Sequence, residues 1–381
     1  MSRDENPTPA ADAPTSIDTA PDGTAPGGTA LSDTAPDDTR DAPVGSDDDT
    51  PAGPKPAGEP EVLGLGSLLG RGFGGLPVLV LLVLGLSLAT DTFLTGTNLD
   101  NLGRQVSIYA IIAIGQLLVI LTAGIDLSVG SVVGLSGVIV AKAVFDTAGG
   151  GPVLLAVLLA LLAGAAIGLV NGVLVAILKM PPFIVTLGTL GMARGLTLLY
   201  TDGRTVQPLP RSFTSIAGGE FLGVANLIWL TVLIALLVGF GLRRTVWGRY
   251  IYAVGSNPES ARLTGVPVRA VLLSVYALAG VLAALGGILL ASRLGNGVPT
   301  AGTGYELQAI AACVIGGASL FGARGSALGA LVGALIVGLL NNGGTLLGID
   351  PFWLQVAIGA LILVAVGVDQ LQGRRLTRRG A

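Results

Sequence analysis

The chain contains no histidine and a single cysteine, Cys313, among its 381 residues. The absence of histidine excludes a Ser-His-Asp triad, an imidazole metal site and a histidine proton relay, and one cysteine excludes an internal disulfide. Only three lysines are present, and none follows a glycine, so the chain lacks the Gly-Lys-Ser/Thr loop that binds nucleotide phosphates. We therefore predict no enzyme activity and no cofactor, and any ATP that drives this protein must be bound by another polypeptide.

Charge is also scarce, since 12% of the residues are charged while 51% are hydrophobic, and the mean hydropathy is +0.77. A water-soluble core cannot hide so much apolar surface. The apolar residues occur in blocks of about 20 residues, which is the length of helix that crosses a bilayer with its backbone hydrogen bonds satisfied. The composition therefore predicts an all-α polytopic protein of the cell (plasma) membrane, with no nucleic-acid partner.

About ten spanning or half-spanning helices are expected in a permease domain at residues 62–371. The predicted segments are Gly72–Thr92, Ser107–Ala123, Leu127–Phe145, Pro152–Ile177, Phe183–Tyr200, Ala225–Leu242, Val271–Ala291, Tyr305–Phe321, Ser326–Leu340 and Phe352–Val368. With the amino terminus in the cytoplasm, twelve lysines and arginines lie on the inner side and five on the outer side. This bias predicts that both termini are cytoplasmic and that the number of helices is even.

The first 61 residues differ in composition, because they consist mainly of Asp, Pro, Thr, Ala and Gly. They carry 14 acidic and three basic residues, a net charge of −11. Such a segment cannot bury a core, so residues 1–61 are predicted to be a disordered, acidic cytoplasmic tail. Residues 372–381 are predicted to be a basic cytoplasmic tail.

Glycines recur at intervals of four within the apolar blocks, as in Gly164–Gly168–Gly172 and Gly325–Gly329–Gly333. This spacing lets two helices approach closely, so helix packing is the first interpretation of these glycines and a transport path is the second. A break at Gly124–Ser128 resembles a second break at Gly316–Ser326, and each is followed by an apolar run. The similarity is typical of a weak internal repeat, as transporters often have.

A short capped helix is predicted in the loop between the sixth and seventh segments. Asn257 is a favourable N-cap, Pro258 suits the first helical position, Glu259 suits the first turn, and Gly265 suits the stop. A helix of two turns is marginal alone in water, so its capping suggests that it is held against something. It is either a connector on the membrane surface or a peg that docks on a cytoplasmic partner and transmits movement.

Four sequences, in order along Ser107–Val368, resemble the permeases of ribose- and xylose-type sugar ATP-binding-cassette (ABC) importers. They are Gly115-Gln116, Thr122–Gly130, Ala253–Ala261 and Gly316–Ser326. The resemblance implies a second permease copy or a related permease, a cytoplasmic ATPase and an extracellular or periplasmic solute-binding protein. It also implies that the capped helix is the ATPase-coupling helix, formed by Ser256, Asn257, Pro258, Glu259, Ser260, Ala261, Arg262, Leu263, Thr264 and Gly265.

Polar residues inside the spans are costly in lipid, so they are expected to face the bundle interior, a cavity or an interface. Candidates for the translocation path are Gln116, Asp126, Ser128, Asn171, Thr186, Thr189, Arg194, Glu306, Gln308, Asn341 and Asn342. Asp126 either caps the third helix or lines a polar cavity. Arg194 either lies on the path or pairs with Glu306 as structural support.

The favoured function is a permease subunit that imports a monosaccharide and couples to a separate ATPase. An ABC permease for branched-chain amino acids or another small polar solute is an alternative within the same class. An ion-coupled secondary transporter is a second alternative, but it would need a titratable group near the membrane midplane, and Asp126 and Glu306 are predicted nearer the edges. A membrane enzyme would need a paired-carboxylate, metal or nucleophile cluster, which the sequence does not show.

Overall fold

The computed structural model describes residues 75–145 and 152–379, and the predicted tail at 1–61 lies outside them. Within these residues the chain forms thirteen helices and one two-stranded hairpin. In chain order they are α1 (Leu76–Ala89), α2 (Gly96–Leu121), α3 (Val129–Phe145), α4 (Val153–Ala176), α5 (Pro182–Thr201), α6 (Arg211–Gly218), β1 (Glu220–Phe221), β2 (Val224–Ala225), α7 (Asn226–Arg244), α8 (Val246–Ser256), α9 (Pro258–Leu263), α10 (Val268–Leu294), α11 (Tyr305–Ile315), α12 (Ala327–Leu346) and α13 (Pro351–Arg379).

Six of the described helices are long and apolar enough to cross a membrane. These are α2, α4, α5, α7, α10 and α12, and four shorter apolar stretches lie in α1, α3, α11 and α13. Each of the ten predicted segments corresponds to one of these helices, so the helical membrane fold is confirmed. The number of spans and the side of the termini stay predictions.

The predicted start of the second segment was wrong, because α2 begins at Gly96 rather than Ser107. Its first turns carry the polar residues Asn98, Asp100 and Arg104, so their hydropathy does not mark these turns as part of a membrane helix. Arg104 donates to the carbonyl oxygen of Ala217 (2.5 Å) and to Glu220 Oε1 (3.0 Å), so these turns are tied to α6 and the hairpin. The polar start of α2 is therefore a packed part of the helix.

Helix α2 occupies the centre of the bundle, and nearly all of its residues from Val106 onward are buried. Helices α7, α10, α11 and α12 pack around it. The buried thiol of Cys313 on α11 donates to the carbonyl oxygen of Ala113 on α2 at 3.1 Å. The described chain is therefore organised around one central helix that is buried from Val106 to its end.

The glycine spacings are confirmed as packing features. A Cβ added at Gly168 on α4 would overlap the carbonyl oxygen of Tyr276 on α10, and one added at Gly280 would overlap that of Gly164. A Cβ at Gly333 on α12 would likewise overlap the carbonyl oxygen of Ala312 on α11. The α4–α10 and α11–α12 pairs therefore pack backbone against backbone, as small residues allow in a membrane.

Candidate functional site

Helix α9 is the predicted capped helix, and its caps are confirmed. The side chain of Asn257 accepts from the backbone N–H groups of Glu259 (3.0 Å) and Ser260 (2.9 Å), and Pro258 occupies the first helical position. Thr264 is the C-cap and Gly265 has a left-handed φ of 85°. Two donors that a helix start would leave unpaired are thus satisfied, and the stop uses the residue type best suited to that conformation.

The outer face of α9 is charged and open to solvent. Arg262 Nη2 lies 2.6 Å from Glu259 Oε1, and both side chains are more than 60% exposed. The hydrogen bond and the positive charge of Arg262 lower the pKa of Glu259. Leu263 is also exposed, whereas Ala261 is buried against the bundle. The helix therefore presents an ion pair and one leucine outward while one alanine holds it in place.

Gly255, near the end of α8, connects α9 to the two predicted breaks. A Cβ at this position would overlap the carbonyl oxygen of Leu121 and lie 2.8 Å from the backbone nitrogen of Ala323. The N–H of Ala323 donates to that same Leu121 carbonyl oxygen at 3.0 Å. Two residues before the cap of α9, the backbone of α8 therefore touches the last residue of α2, just before the first break, and Ala323 in the second break.

Each break is also held by hydrogen bonds from side chains. Tyr252 Oη on α8 donates to the carbonyl oxygen of Gly325 at 2.9 Å. Thr186 Oγ1 on α5 donates to the carbonyl oxygen of Ile125 at 3.0 Å. With the amide of Gln116 oriented to satisfy its hydrogen bonds, Nε2 donates to the carbonyl oxygen of Asp126 (2.9 Å) and Oε1 accepts from its N–H (3.2 Å). These hydrogen bonds fix the carbonyl groups of Ile125, Asp126 and Gly325 in the two breaks.

Asp126 lies fully buried at the end of the first break. Its Oδ1 accepts from the backbone N–H (2.8 Å) and the hydroxyl (2.6 Å) of Ser128, the residue directly before α3. Asn171 Nδ2 on α4 donates to the same hydroxyl oxygen at 3.0 Å. This geometry favours the interpretation of Asp126 as the residue that organises the start of α3, although it contacts Ser128 rather than the first helical turn.

The ion pair with Glu306, one of the two alternatives for Arg194, is not formed, because no such contact within 4 Å occurs in the described part of the chain. Arg194 instead donates through Nη1 to the carbonyl oxygens of Pro299 (2.6 Å) and Ala301 (3.0 Å). Glu306 accepts the N–H of Gly304 at 3.1 Å. The guanidinium therefore ties α5 to the loop before α11 through backbone carbonyls.

Other predicted path residues lie in different surroundings. Asn342 on α12 exchanges two side-chain hydrogen bonds with Asn98 on α2, at 2.8 and 3.2 Å. Thr189 and Asn341 donate to carbonyl oxygens of their own helices. The side-chain oxygen of Gln308 is buried and has no hydrogen-bond partner in the described structure. The structure thus joins Gln116, Asp126, Ser128, Asn171 and Thr186 in one cluster and places the others elsewhere.

An aromatic and amide cluster that was not predicted from the sequence lies between α2 and α11. The rings of Tyr109 and Tyr305 lie edge to face with their centroids 5.0 Å apart. Gln105 Nε2 donates to the hydroxyl of Tyr109 at 3.1 Å. The four-residue spacing of Gln105 and Tyr109 on one helical face was a usable signal, but their contact with Tyr305 is not visible in the sequence. Such a group of amide, hydroxyl and ring edges suits a polar solute with apolar C–H faces.

Residues 98–366 match the family described as branched-chain amino acid transport system / permease component. This chain belongs to that permease family. It is 42% identical over 301 residues to the ribose import permease protein RbsC of Haemophilus influenzae, covering 78% of this chain and 92% of the relative. It is 45% identical to RbsC of Bacillus subtilis over 300 residues (78% and 91%) and 42% identical to the fructose import permease protein FrcC of Rhizobium meliloti over 301 residues (77% and 83%).

The match places the permease among integral membrane subunits of sugar ABC importers, as the four sequence motifs indicated. It is a cell-membrane protein, in agreement with its six apolar helices of spanning length. The relatives are permease subunits of transport systems and not enzymes. No solved structure matches the chain.

Proposed function

We propose that this permease forms the translocation path of an ABC importer for a monosaccharide of the ribose or xylose type. A separate cytoplasmic ATPase would bind and hydrolyse ATP, an extracellular binding protein would deliver the sugar, and a second permease subunit would complete the path. The relatives named for ribose and fructose support a monosaccharide as the solute class. The permease itself would then perform no covalent chemistry.

The contact of Gly255 with the end of α2, just before the first break, and with the second break is the observation that carries the proposal. Helix α9 is too short to be stable alone, but its caps and the buried Ala261 hold it as one piece with α8. A docked ATPase that moves α9 would therefore move α8, and the backbone of α8 touches Leu121 and Ala323 directly. Because interiors are close-packed, a displacement there passes to its neighbours instead of being absorbed.

The two breaks are well placed to convert that displacement into a change of access. The first precedes α3 and the second precedes α12, so a shift of the paired loops would reorient two helices together. The buried cluster of Gln116, Asp126 and Ser128 would keep the first loop rigid during the shift. In this mechanism, ATP binding switches the bundle from inward-open to outward-open, and hydrolysis returns it.

The exposed ion pair of α9 provides the test. The permease is reconstituted with its ATPase and binding protein in vesicles, and ATP hydrolysis and uptake of labelled ribose and xylose are measured together. Glu259→Arg and Arg262→Glu each place two like charges together on the docking face, so we expect uptake per ATP hydrolysed to fall. The folded state should persist, because ion pairs between exposed side chains contribute little to stability.

The double swap Glu259→Arg with Arg262→Glu is the matched control, since it restores the ion pair with inverted charges. If the double swap restores the uptake per ATP hydrolysed, the ion pair acts by stabilising α9 itself. If the uptake per ATP hydrolysed stays low, the two charges contact the ATPase directly. Normal coupled uptake in both single variants would refute the coupling role of α9.

A branched-chain amino acid is the second candidate solute, because the matching family carries that description. The same vesicles distinguish the two classes when labelled leucine replaces the sugar. Uptake of leucine without uptake of any pentose or hexose would overturn the assignment to monosaccharides while leaving the coupling mechanism intact.

A further inference from the structure

A pocket of about 530 Å³ lies beside α9, between the end of α4 and the start of α10. Its charged rim consists of Lys179, Arg262, Arg269 and Glu259, and Val175 and Leu272 belong to its apolar wall. The pocket thus combines a positively charged opening with an apolar wall. The residues of the cluster around Asp126 do not line this pocket.

The rim has more positive than negative charge available for a ligand. Arg262 is already paired with Glu259 at 2.6 Å. Lys179 and Arg269 are exposed, and neither forms an ion pair within the ranges that the structure covers. Glu259 is the one carboxylate among the residues that line this pocket, and the charge of Lys179 contributes to lowering its pKa, so three cations face one carboxylate at the opening. This excess of positive charge suits an anion with strong acceptor oxygens such as a phosphate.

The apolar wall lies at the ends of helices that cross the membrane. Val175 belongs to α4 and Leu272 to α10, both of spanning length. Next to Lys179, the side chains of Leu178 and Phe183 are more than half exposed, so acyl chains would cover them in a bilayer. A basic group that follows directly on a lipid-facing apolar surface lies at the depth of the headgroups.

We propose that this pocket binds the phosphate of an anionic phospholipid, with Lys179 and Arg269 as the anchoring cations. The glycerol portion would lie against the apolar wall, and the acyl chains would extend along the exposed side of α4 and α5. Basic pockets between membrane helices are known to take such headgroups. The site depends on insertion in a membrane and not on which solute the permease imports. The bound phosphate would lie next to the Glu259–Arg262 pair, and so would make the docking face of α9 sensitive to the charge of the membrane.

The experiment measures lipid retention by the full-length permease in mild detergent, with native mass spectrometry as the readout. Phosphatidylglycerol is titrated against wild type, Lys179→Gln, Arg269→Gln and the double variant, and phosphatidylcholine is titrated in parallel. We expect one phosphatidylglycerol to bind with an affinity that falls about fivefold for each substitution and roughly 25-fold for both. Phosphatidylcholine should bind weakly to all variants.

Arg244→Gln with Arg249→Gln is the matched control, because these two exposed arginines lie outside the pocket and the charge change is the same. Thermal unfolding in phosphatidylcholine tests whether all variants are folded. The proposal is refuted if the control variant loses phosphatidylglycerol as strongly as the pocket variant, since the effect would then be one of general surface charge. It is also refuted if inorganic phosphate binds to the site as tightly as phosphatidylglycerol. A third refuting result is a double variant, Lys179→Gln with Arg269→Gln, that binds an ATPase more weakly but still retains phosphatidylglycerol.

Discussion

Replacing Gly255 with alanine tests the connection between α9 and the two breaks most directly. The added Cβ would overlap the Leu121 carbonyl oxygen and lie 2.8 Å from the Ala323 nitrogen. Both neighbours are backbone atoms, so no side chain can rotate away, and α8 must move relative to the paired loops. Overpacking of this kind costs about 1–3 kcal/mol.

Alanine also favours the helical conformation by about 0.5–1 kcal/mol relative to glycine. The expected net loss is therefore about 1–2 kcal/mol, which is roughly 5–30-fold in a two-state equilibrium. We expect the melting temperature of Gly255→Ala to fall and the sugar transported per ATP hydrolysed to fall several-fold. The reason is that the contact that would transmit movement is pushed apart.

The control is Gly85→Ala on α1, where an added Cβ meets nothing within 4 Å. This variant should be as stable as wild type or slightly more stable, with unchanged uptake. The assay combines unfolding in detergent, followed by intrinsic fluorescence, with uptake and hydrolysis in the reconstituted vesicles. If Gly255→Ala behaves like Gly85→Ala in both measurements, α8 does not transmit movement through this contact.

Two further predictions concern the hydrogen bonds of the site. Asn257→Ala removes the acceptor for two backbone donors of α9, so the stability of the helix should fall by about 1 kcal/mol and its amide hydrogens should exchange roughly fivefold faster. Asn257→Asp keeps an acceptor and should behave like wild type. Unchanged amide exchange in Asn257→Ala would contradict the role of Asn257 as a cap. Asp126→Ala leaves the buried N–H and hydroxyl of Ser128 without their acceptor and should cost about 2–5 kcal/mol in thermal unfolding. Asp126→Asn keeps the acceptor oxygen Oδ1 and replaces only Oδ2, which has no hydrogen-bond partner in the described structure, so it should destabilise the protein less than Asp126→Ala. Equal destabilisation by the two substitutions would show that the charge of Asp126 matters more than its hydrogen bonds.

The parts of the fold that depend on local chemistry were predictable from the sequence. Helix α9 is the clearest case, because Asn257, Pro258 and Gly265 act within their own helix and each favours one backbone conformation. The apolar helices were found for a similar reason, since a lipid environment requires long runs of apolar residues. Helix α8 was missed because it has only 11 residues, partly buried and partly polar, and resembles a loop when hydropathy alone is considered.

The contacts between distant segments were not predictable in the same way. Pairing with Glu306 was one of two alternatives for Arg194, but its guanidinium binds backbone carbonyls. Every residue has a backbone carbonyl, so such a contact cannot be recognised in the sequence. The second break is joined to the end of α2 by a backbone hydrogen bond between Ala323 and Leu121, which are about 200 positions apart. The side chains of these two residues do not indicate this contact. The similar composition of the two breaks suggested a repeat, but only the structure shows that the second break is bonded to the end of α2.

The buried thiol of Cys313 gives the chain a practical advantage for spectroscopy. Its sulfur is inaccessible and bonded to α2, and the sequence has no other cysteine. A cysteine introduced on an exposed position such as Leu263 would therefore be the one accessible thiol of the folded protein. Spin labels or fluorophores can be attached there without first removing a native residue, and the distance between labels on two permease copies would report the motion of α9 during the ATP cycle.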